Sequence, residues 1–201
     1  RGFVTLTYDA ACFGERHDPT SGHYGDAIPF YQRHPRWSMM GKMAWDLSRA
    51  VDYLSRQSFV DPARIASIGH SHGGYTTWFG MALDERIAGC AELCCAAEYD
   101  ALLQSGAYDL HGEYFFVPGL LTEFTLAEIA ALIAPRPHLS CAGRADPLTP
   151  SAGLNSLDRA LREVYAVRGA PQAWRQVVED GGHAETPTLR AEVLAWLDRF
   201  T

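Results

Sequence analysis

The chain has 201 residues, 47% of them hydrophobic and 20% charged, with a formal net charge of -7. This is the length and composition of one folded domain with a substantial core, and it excludes disorder, coiled coil and collagen. The acidic balance and the absence of a Lys/Arg-rich run argue against a nucleic-acid or anionic-membrane partner, and no apolar stretch is long enough to span a bilayer.

The elements follow in chain order. Phe3–Tyr8 is β-rich and reads as a strand, and residues 10–37 read as a long surface loop. Ser38 is an N-cap candidate for a helix through Gln57, with Met40, Met43, Leu47, Ala50, Val51 and Leu54 on one face. Val60-Asp61-Pro62 closes that unit and leads into a strand over Ile65–Gly69, followed by a helix over Tyr75–Leu83. Ile87–Cys95 is a nearly unbroken small and apolar run, as in a strand buried on both faces of a parallel sheet. Residues 96–122 break the pattern and are aromatic, suggesting a small cap or insertion within the single domain 1–201. Thr125-x-x-Glu128 is a capping box for a short helix stopped by Pro135 and Pro137. A strand over His138–Ala142 comes next, then a helix with Thr149 as N-cap, Pro150 as first residue and Leu154, Leu157, Leu161, Val164 and Tyr165 inward. The last strand is Trp174–Glu179, and Thr186-Pro187 opens a terminal helix. Strands alternating with helices specify an α/β fold, a mostly parallel sheet with helices on both faces.

Chemistry concentrates at strand ends. Gly69-His70-Ser71-His72-Gly73 follows a strand and opens a helix, and Gly-x-Ser-x-Gly there lifts a serine hydroxyl clear of the backbone. Serine is a weak nucleophile at neutral pH and needs a base within hydrogen-bond reach, itself oriented by a third group. His183, after Asp180-Gly181-Gly182, and Asp146, after Gly143, stand at later strand ends and supply that pair. Each alone has an ordinary reading: an N-cap serine, an exposed loop histidine, an aspartate in a turn. Asp9 and Glu98 also end strands and are rival acids, with loop-turn roles the better reading. His70 and His72 flank the serine, but no carboxylate-rich partner motif accompanies them, so no metal or other cofactor is expected. Trp45, Trp78 and Trp196 fall at helical positions and read as core, whereas Tyr24, Tyr31, Trp37 and the Tyr114–Phe116 cluster fall in loops and are pocket candidates. The five cysteines, without a CxxC pair, read as reduced thiols, which fits a cytoplasmic setting, and Cys90 and Cys94 as core residues.

These stretches, together with Phe13-Gly14-Glu15-Arg16, Gly41–Leu47, Asp61–Ile65, Leu83–Ile87 and Ile133–Pro137, resemble the α/β-hydrolase superfamily. Within it the chain is similar to acetyl xylan esterase, dienelactone-hydrolase-like and prolyl-oligopeptidase-like serine hydrolases. The resemblance implies an acyl-enzyme mechanism on a small-molecule ester, with Ser71 attacking, His183 moving the proton, Asp146 steadying His183 and the His72 backbone N–H as one oxyanion donor. It points to carboxylic esters with a short acyl group, acetylated carbohydrate among them; His70 beside the serine and the loop residues Tyr114, Phe115 and Phe116 are the candidate substrate-binding residues. It also implies a strand and a His-Gly-rich oxyanion loop that are absent here, in the middle of the sheet between Phe3–Tyr8 and Ile65–Gly69. The expectation is therefore that the chain is a fragment of a longer hydrolase, lacking N-terminal strands, or that those two strands pair directly. A serine peptidase of prolyl-oligopeptidase type and a non-catalytic hydrolase-fold module are the alternatives.

Overall fold

A computed structural model describes residues 2–21 and 25–200. The helices are α1 (Ala27–Arg33), α2 (Met39–Ser55), α3 (His72–Leu83), α4 (Tyr99–Ser105), α5 (Leu120–Glu123), α6 (Leu126–Ala131), α7 (Ser151–Val167) and α8 (Pro187–Leu197). The strands are β1 (Ala66–His70), β2 (Gly89–Leu93), β3 (His138–Gly143) and β4 (Trp174–Glu179). They form one parallel sheet in the order β1-β2-β3-β4. The α/β expectation therefore holds, and β4 has the bounds read from the sequence.

Helices cover both faces of the two central strands. All residues of β2 and β3 are buried. On one side Met40, Met43, Trp78, Ile87, Leu161 and Tyr165 join the main core, drawn from α2, α3, α7 and the turn before β2. On the other, Leu189, Val193 and Trp196 of α8 close over Ala91, Leu93, Leu139 and Cys141. Trp78 and Trp196 are core residues, 1% and 3% exposed, but Trp45 is 55% exposed with the Arg49 guanidinium 4.1 Å from its ring. Trp45 lies two residues beyond Met43 and so on the far side of α2.

Caps fix where the helices begin. Ser38 accepts from the Gly41 N–H at α2, and Thr186 from the Leu189 N–H at α8. Thr125 and Glu128 form the reciprocal box at α6. Thr149 does not cap α7: Pro150 holds that position without a side-chain bond, because the Thr149 N–H closes the preceding turn on the Asp146 carbonyl. The other end of α3 is tied by Arg136, whose guanidinium donates to the carbonyls of Met81 at 2.7 Å, Asp84 at 3.0 Å and Ile87 at 2.9 Å. Met81 lies in the last turn of α3, where carbonyls have no partner within the helix, Asp84 is its C-cap, and Ile87 lies in the turn that follows.

Two sequence expectations fail at the N-terminal side. Phe3–Tyr8 is not a strand: residues 2–10 have no regular structure, and Phe3, Val4, Leu6 and Tyr8 are 37–50% exposed. Nor does this stretch pair with β1. A cleft of about 250 Å³ lies between them, walled by Leu6 and Tyr8 on one side and Ile65 and Ile68 on the other, with Leu47 and Val51 of α2 also lining it. The propensity of a run for extended backbone makes a strand only when a neighbour accepts its N–H and C=O groups, and none of the described residues does. The loop expected over residues 10–37 contains α1, whose first turn includes Pro29. Tyr24 lies outside the described residues. Among those described, no helix is long and apolar enough to cross a membrane.

The core holds one ionisable cluster. Glu92, wholly buried in β2, accepts from the Cys95 thiol at 2.8 Å and faces His138 of β3 at 3.9 Å. Burial pushes the Glu92 carboxyl from 4.5 up to about 7, and pushes the His138 imidazole down to about 3. The folded protein thus holds the Glu92 proton more tightly than the unfolded chain. Its contribution to stability is complete below about pH 4.5 and is lost as pH rises through about 7. In Glu92→Gln this dependence should vanish, while the slope from His138 is common to both proteins. Urea unfolding at pH 5 and pH 8 should show wild type losing on the order of 2–3 kcal/mol relative to the variant; parallel changes in both would remove the assignment.

Candidate active site

Ser71 is the residue between β1 and α3, with φ 54° and ψ -120°. A side chain rarely tolerates that angle, so the surroundings must impose it. The Ser71 N–H donates to the Leu93 carbonyl at 2.7 Å, and its own carbonyl receives the Tyr75 N–H at 3.0 Å. Two glycines make the turn fit. A Cβ at Gly69 would lie 2.1 Å from the Gly73 carbonyl carbon, and one at Gly74 would lie 2.5 Å from the Cys95 Sγ. The strand, the turn and the first helical turn are thus compressed against each other and against β2.

The compressed turn presents the hydroxyl to a histidine. Ser71 Oγ is 2.7 Å from His183 Nε2, and His183 Nδ1 is 2.8 Å from Asp146 Oδ2. Asp146 follows β3 and His183 follows β4, so three parallel strands deliver the three residues to one end of the sheet. The Asp146 side chain is fully shielded, while that of His183 is 25% exposed. Burial by itself would raise the Asp146 pKa. Hydrogen bonds from His183 and from the Leu148 N–H, the latter at 2.9 Å, outweigh it and leave the carboxyl below its ordinary value. Asp146 therefore stands as a carboxylate in contact with the imidazole.

The two rival acids are occupied elsewhere. Glu98 accepts from the N–H groups of Leu126 and Ala127 at the start of α6, and Asp9 accepts from the Glu15 N–H. The loop roles read for both are the ones seen.

The flanking histidines point different ways. His70 lies with its ring 5.0 Å from that of His183, and burial followed by the neighbouring His183 lowers its pKa. His72 turns inward: its Nε2 meets Met43 Sδ at 2.8 Å and its ring stacks on Phe13 at 4.7 Å with Tyr114 edge-on at 4.3 Å. Burial drives the His72 pKa down to about 4, so the ring is a neutral packing group. Its backbone N–H belongs to the first turn of α3, where N–H groups have no partner within the helix.

The aromatic candidates divide in the same way. Phe115 is 1% exposed and packs against Tyr75 and Tyr99, and Tyr114 is 6% exposed beneath His72, so both build the wall behind the serine rather than an open pocket surface. Phe116 is 38% exposed. Tyr31 accepts from the Met39 N–H and donates to the Phe116 carbonyl, tying α1 and α2 to the segment between β2 and α6.

Two residues near the site were not singled out by sequence reasoning. His111 was passed over among the aromatics of residues 96–122. Cys94 was read only as core, and it is buried, but it ends β2 with φ 55° and has its Sγ 3.8 Å from the Ala184 carbonyl beside the histidine. Cys94, Asp146 and His183 bring potential ligand atoms within 4.8 Å of one another. Burial first, and then Asp146, raise the thiol to about 11, and the carboxylate and imidazole are already bonded to each other, so the group packs as a neutral thiol beside that hydrogen-bonded pair. All five cysteines are buried and unbridged.

Comparison with known proteins agrees with this architecture. The profile of the prolyl oligopeptidase family matches residues 20–90. A protein of Bacillus subtilis (strain 168) named "Putative hydrolase YtaP" is 41% identical over 162 residues, covering 81% of this chain and 54% of its own. The 4-O-methyl-glucuronoyl methylesterase of Phanerochaete carnosa is 26% identical over 225 residues, covering 99% of this chain and 55% of its own. The chain thus spans about half the length of these curated relatives. The solved glucuronoyl esterase of carbohydrate esterase family 15 from Caldicellulosiruptor kristjansonii superposes with a TM-score of 0.70 at 23% identity, over 92% of this chain and 57% of that one.

The packing of the elbow can be measured directly. Gly74→Ala should destabilise the protein by about 1–3 kcal/mol through the collision with Cys95 Sγ. In Cys95→Ala that collision is removed, so the two substitutions should be less than additive in chemical denaturation, and strict additivity would show that they do not share this contact. The parallel sheet, the strained serine turn and the likeness to the solved structure agree on an α/β-hydrolase fold.

Proposed function

We propose that the protein is a serine hydrolase of carboxylic esters acting through an acyl-enzyme, with Ser71 as nucleophile, His183 as general base and acid, and Asp146 as the group that orients His183. The observation that carries this reading is the unbroken chain of hydrogen bonds from Ser71 Oγ through His183 to the shielded Asp146 carboxylate. Ser71 Oγ attacks the ester carbonyl as His183 Nε2 takes the hydroxyl proton. Charge then develops on the carbonyl oxygen, where the His72 N–H donates to it. The intermediate collapses, breaking the bond to the alcohol oxygen, and His183 delivers its proton to that leaving group. Water repeats the sequence on the acyl-enzyme and restores the hydroxyl. No step calls on a cofactor or metal.

The proposed substrate is a carbohydrate ester. The support is the likeness to a glucuronoyl methylesterase and to a glucuronoyl esterase. His70, partly exposed beside His183, and Phe116 are the side chains proposed to meet it. Tyr114 and Phe115 shape that surface from behind.

A fluorophosphonate probe tests nucleophile activation without choosing a substrate. Wild type should label at Ser71 alone; Ser71→Ala should abolish labelling, and His183→Ala should slow it by several orders of magnitude, with Asp146→Asn slowing it somewhat less. A folded wild type that fails to label would end the hydrolase reading. An ester panel then separates the chemistries: methyl glucuronate, acetylated xylose and a proline-containing peptide amide. Turnover of either ester with none of the amide is the expected result, and amide cleavage at comparable rate would transfer the assignment to the peptidases.

A further inference from the structure

The proposed chemistry leaves one reactive side chain at the end of the sheet unused. Cys94 directly follows β2, Asp146 lies beyond β3 and His183 beyond β4, so three adjacent parallel strands set a thiol, a carboxylate and an imidazole together. One ligand atom from each residue lies within 4.8 Å of those of the other two. The backbone holds the thiol in place: Cys94 has φ 55°, an angle that its surroundings must impose, and its N–H donates to the Cys141 carbonyl at 2.7 Å. Its Sγ makes a weak contact with the Ala184 carbonyl at 3.8 Å.

A thiol, an imidazole and a carboxylate are the donor set of a borderline-soft divalent cation, zinc first, and not of magnesium or calcium, which take oxygen. Zinc bonds of about 2.0–2.3 Å place tetrahedral ligand atoms about 3.3–3.8 Å apart. The set therefore fits one ion once the Asp146–His183 hydrogen bond, 2.8 Å long, opens by less than about 1 Å. A coordinated thiol is deprotonated, so thiolate and carboxylate together balance the charge of the ion. The His183 side chain, 25% exposed, gives the ion its entrance and leaves room for a water in the fourth position. Of the ring nitrogens, Nδ1 faces Asp146 and Nε2 faces Ser71, so an ion shared with the carboxylate takes Nδ1. The thiol proton then leaves to solvent, and the ring carries its single proton on Nε2. Such a ring donates to Ser71 Oγ instead of accepting its proton.

We propose that Cys94, His183 and Asp146 form an inhibitory zinc site, at which the ion replaces the hydrogen bond between Nδ1 and Asp146 and locks His183 in the tautomer that cannot activate Ser71. Binding of the ion follows from the three ligands alone. The inhibition rests on the reading of Ser71, His183 and Asp146 as a working triad.

Cobalt(II) reports the site without reference to activity, because a thiolate bound to it gives an intense charge-transfer absorption in the near ultraviolet. Titration of the whole chain with Co²⁺ should develop this band to one ion per chain, and Zn²⁺ should displace it with a dissociation constant read from the competition. Cys94→Ala and Cys94→Ser should both lack the band, whereas Cys95→Ala, which removes a different buried thiol, should keep it. Free Zn²⁺ at about ten times its dissociation constant should slow fluorophosphonate labelling of wild type about tenfold, and EDTA should restore it. Each Cys94 variant, referred to its own zinc-free rate, should slow by less than about twofold. Absence of the band in folded wild type, or its persistence in a folded Cys94 variant, would overturn the proposal, and so would equal zinc sensitivity of wild type and the Cys94 variants. If wild type does not label in zinc-free buffer, the triad reading fails, and the cobalt band still decides whether the three residues hold the ion.

Discussion

Ser71 occupies a backbone angle that an L-residue adopts only under constraint, and the arrangement of the site depends on that constraint being met. β1 must end against β2 so that the Leu93 carbonyl receives the Ser71 N–H. Gly69 and Gly74 must lack side chains so that the strand, the helix and Cys95 can close to contact. The far end of α3 must be held as well, and Arg136 holds it through three carbonyls. A strained turn with rigid elements on both sides cannot relax into a neighbouring well. It therefore presents its hydroxyl in one direction, towards the imidazole delivered from the end of β4.

Burial sorts the histidines around this turn into different parts. His72, His111 and His138 are shielded and their pKa values fall to about 4, 4 and 3, so each is a neutral ring with a packing or hydrogen-bonding task. His183 alone has both ring nitrogens engaged by groups that matter to proton transfer, one a carboxylate and the other a hydroxyl. The same residue type thus serves as wall and as base within one site, and the surroundings decide which.

Most of the sheet and the three proposed catalytic residues were legible because their signals are local. A glycine-flanked serine after a β-branched run, an aspartate before proline at a strand end and a histidine after two glycines each announce a turn, and parallel strands bring such turns together. Phe3–Tyr8 misled because side-chain pattern measures only half of what makes a strand; the other half is a partner for the backbone. Trp45 misled because helical position alone does not make a core residue: its angle on α2 sets it opposite Met43 and Leu47.

The outer edge of β1 has a further consequence. Among the described residues it has a neighbour on one side only, and Ile68 on it is 44% exposed. Such an edge, beside a cleft lined with leucine, isoleucine and tyrosine, is a template for any passing extended chain. The stretch that leads directly into the strained serine turn is thus also an edge of the sheet where an added extended segment would find backbone groups to pair with.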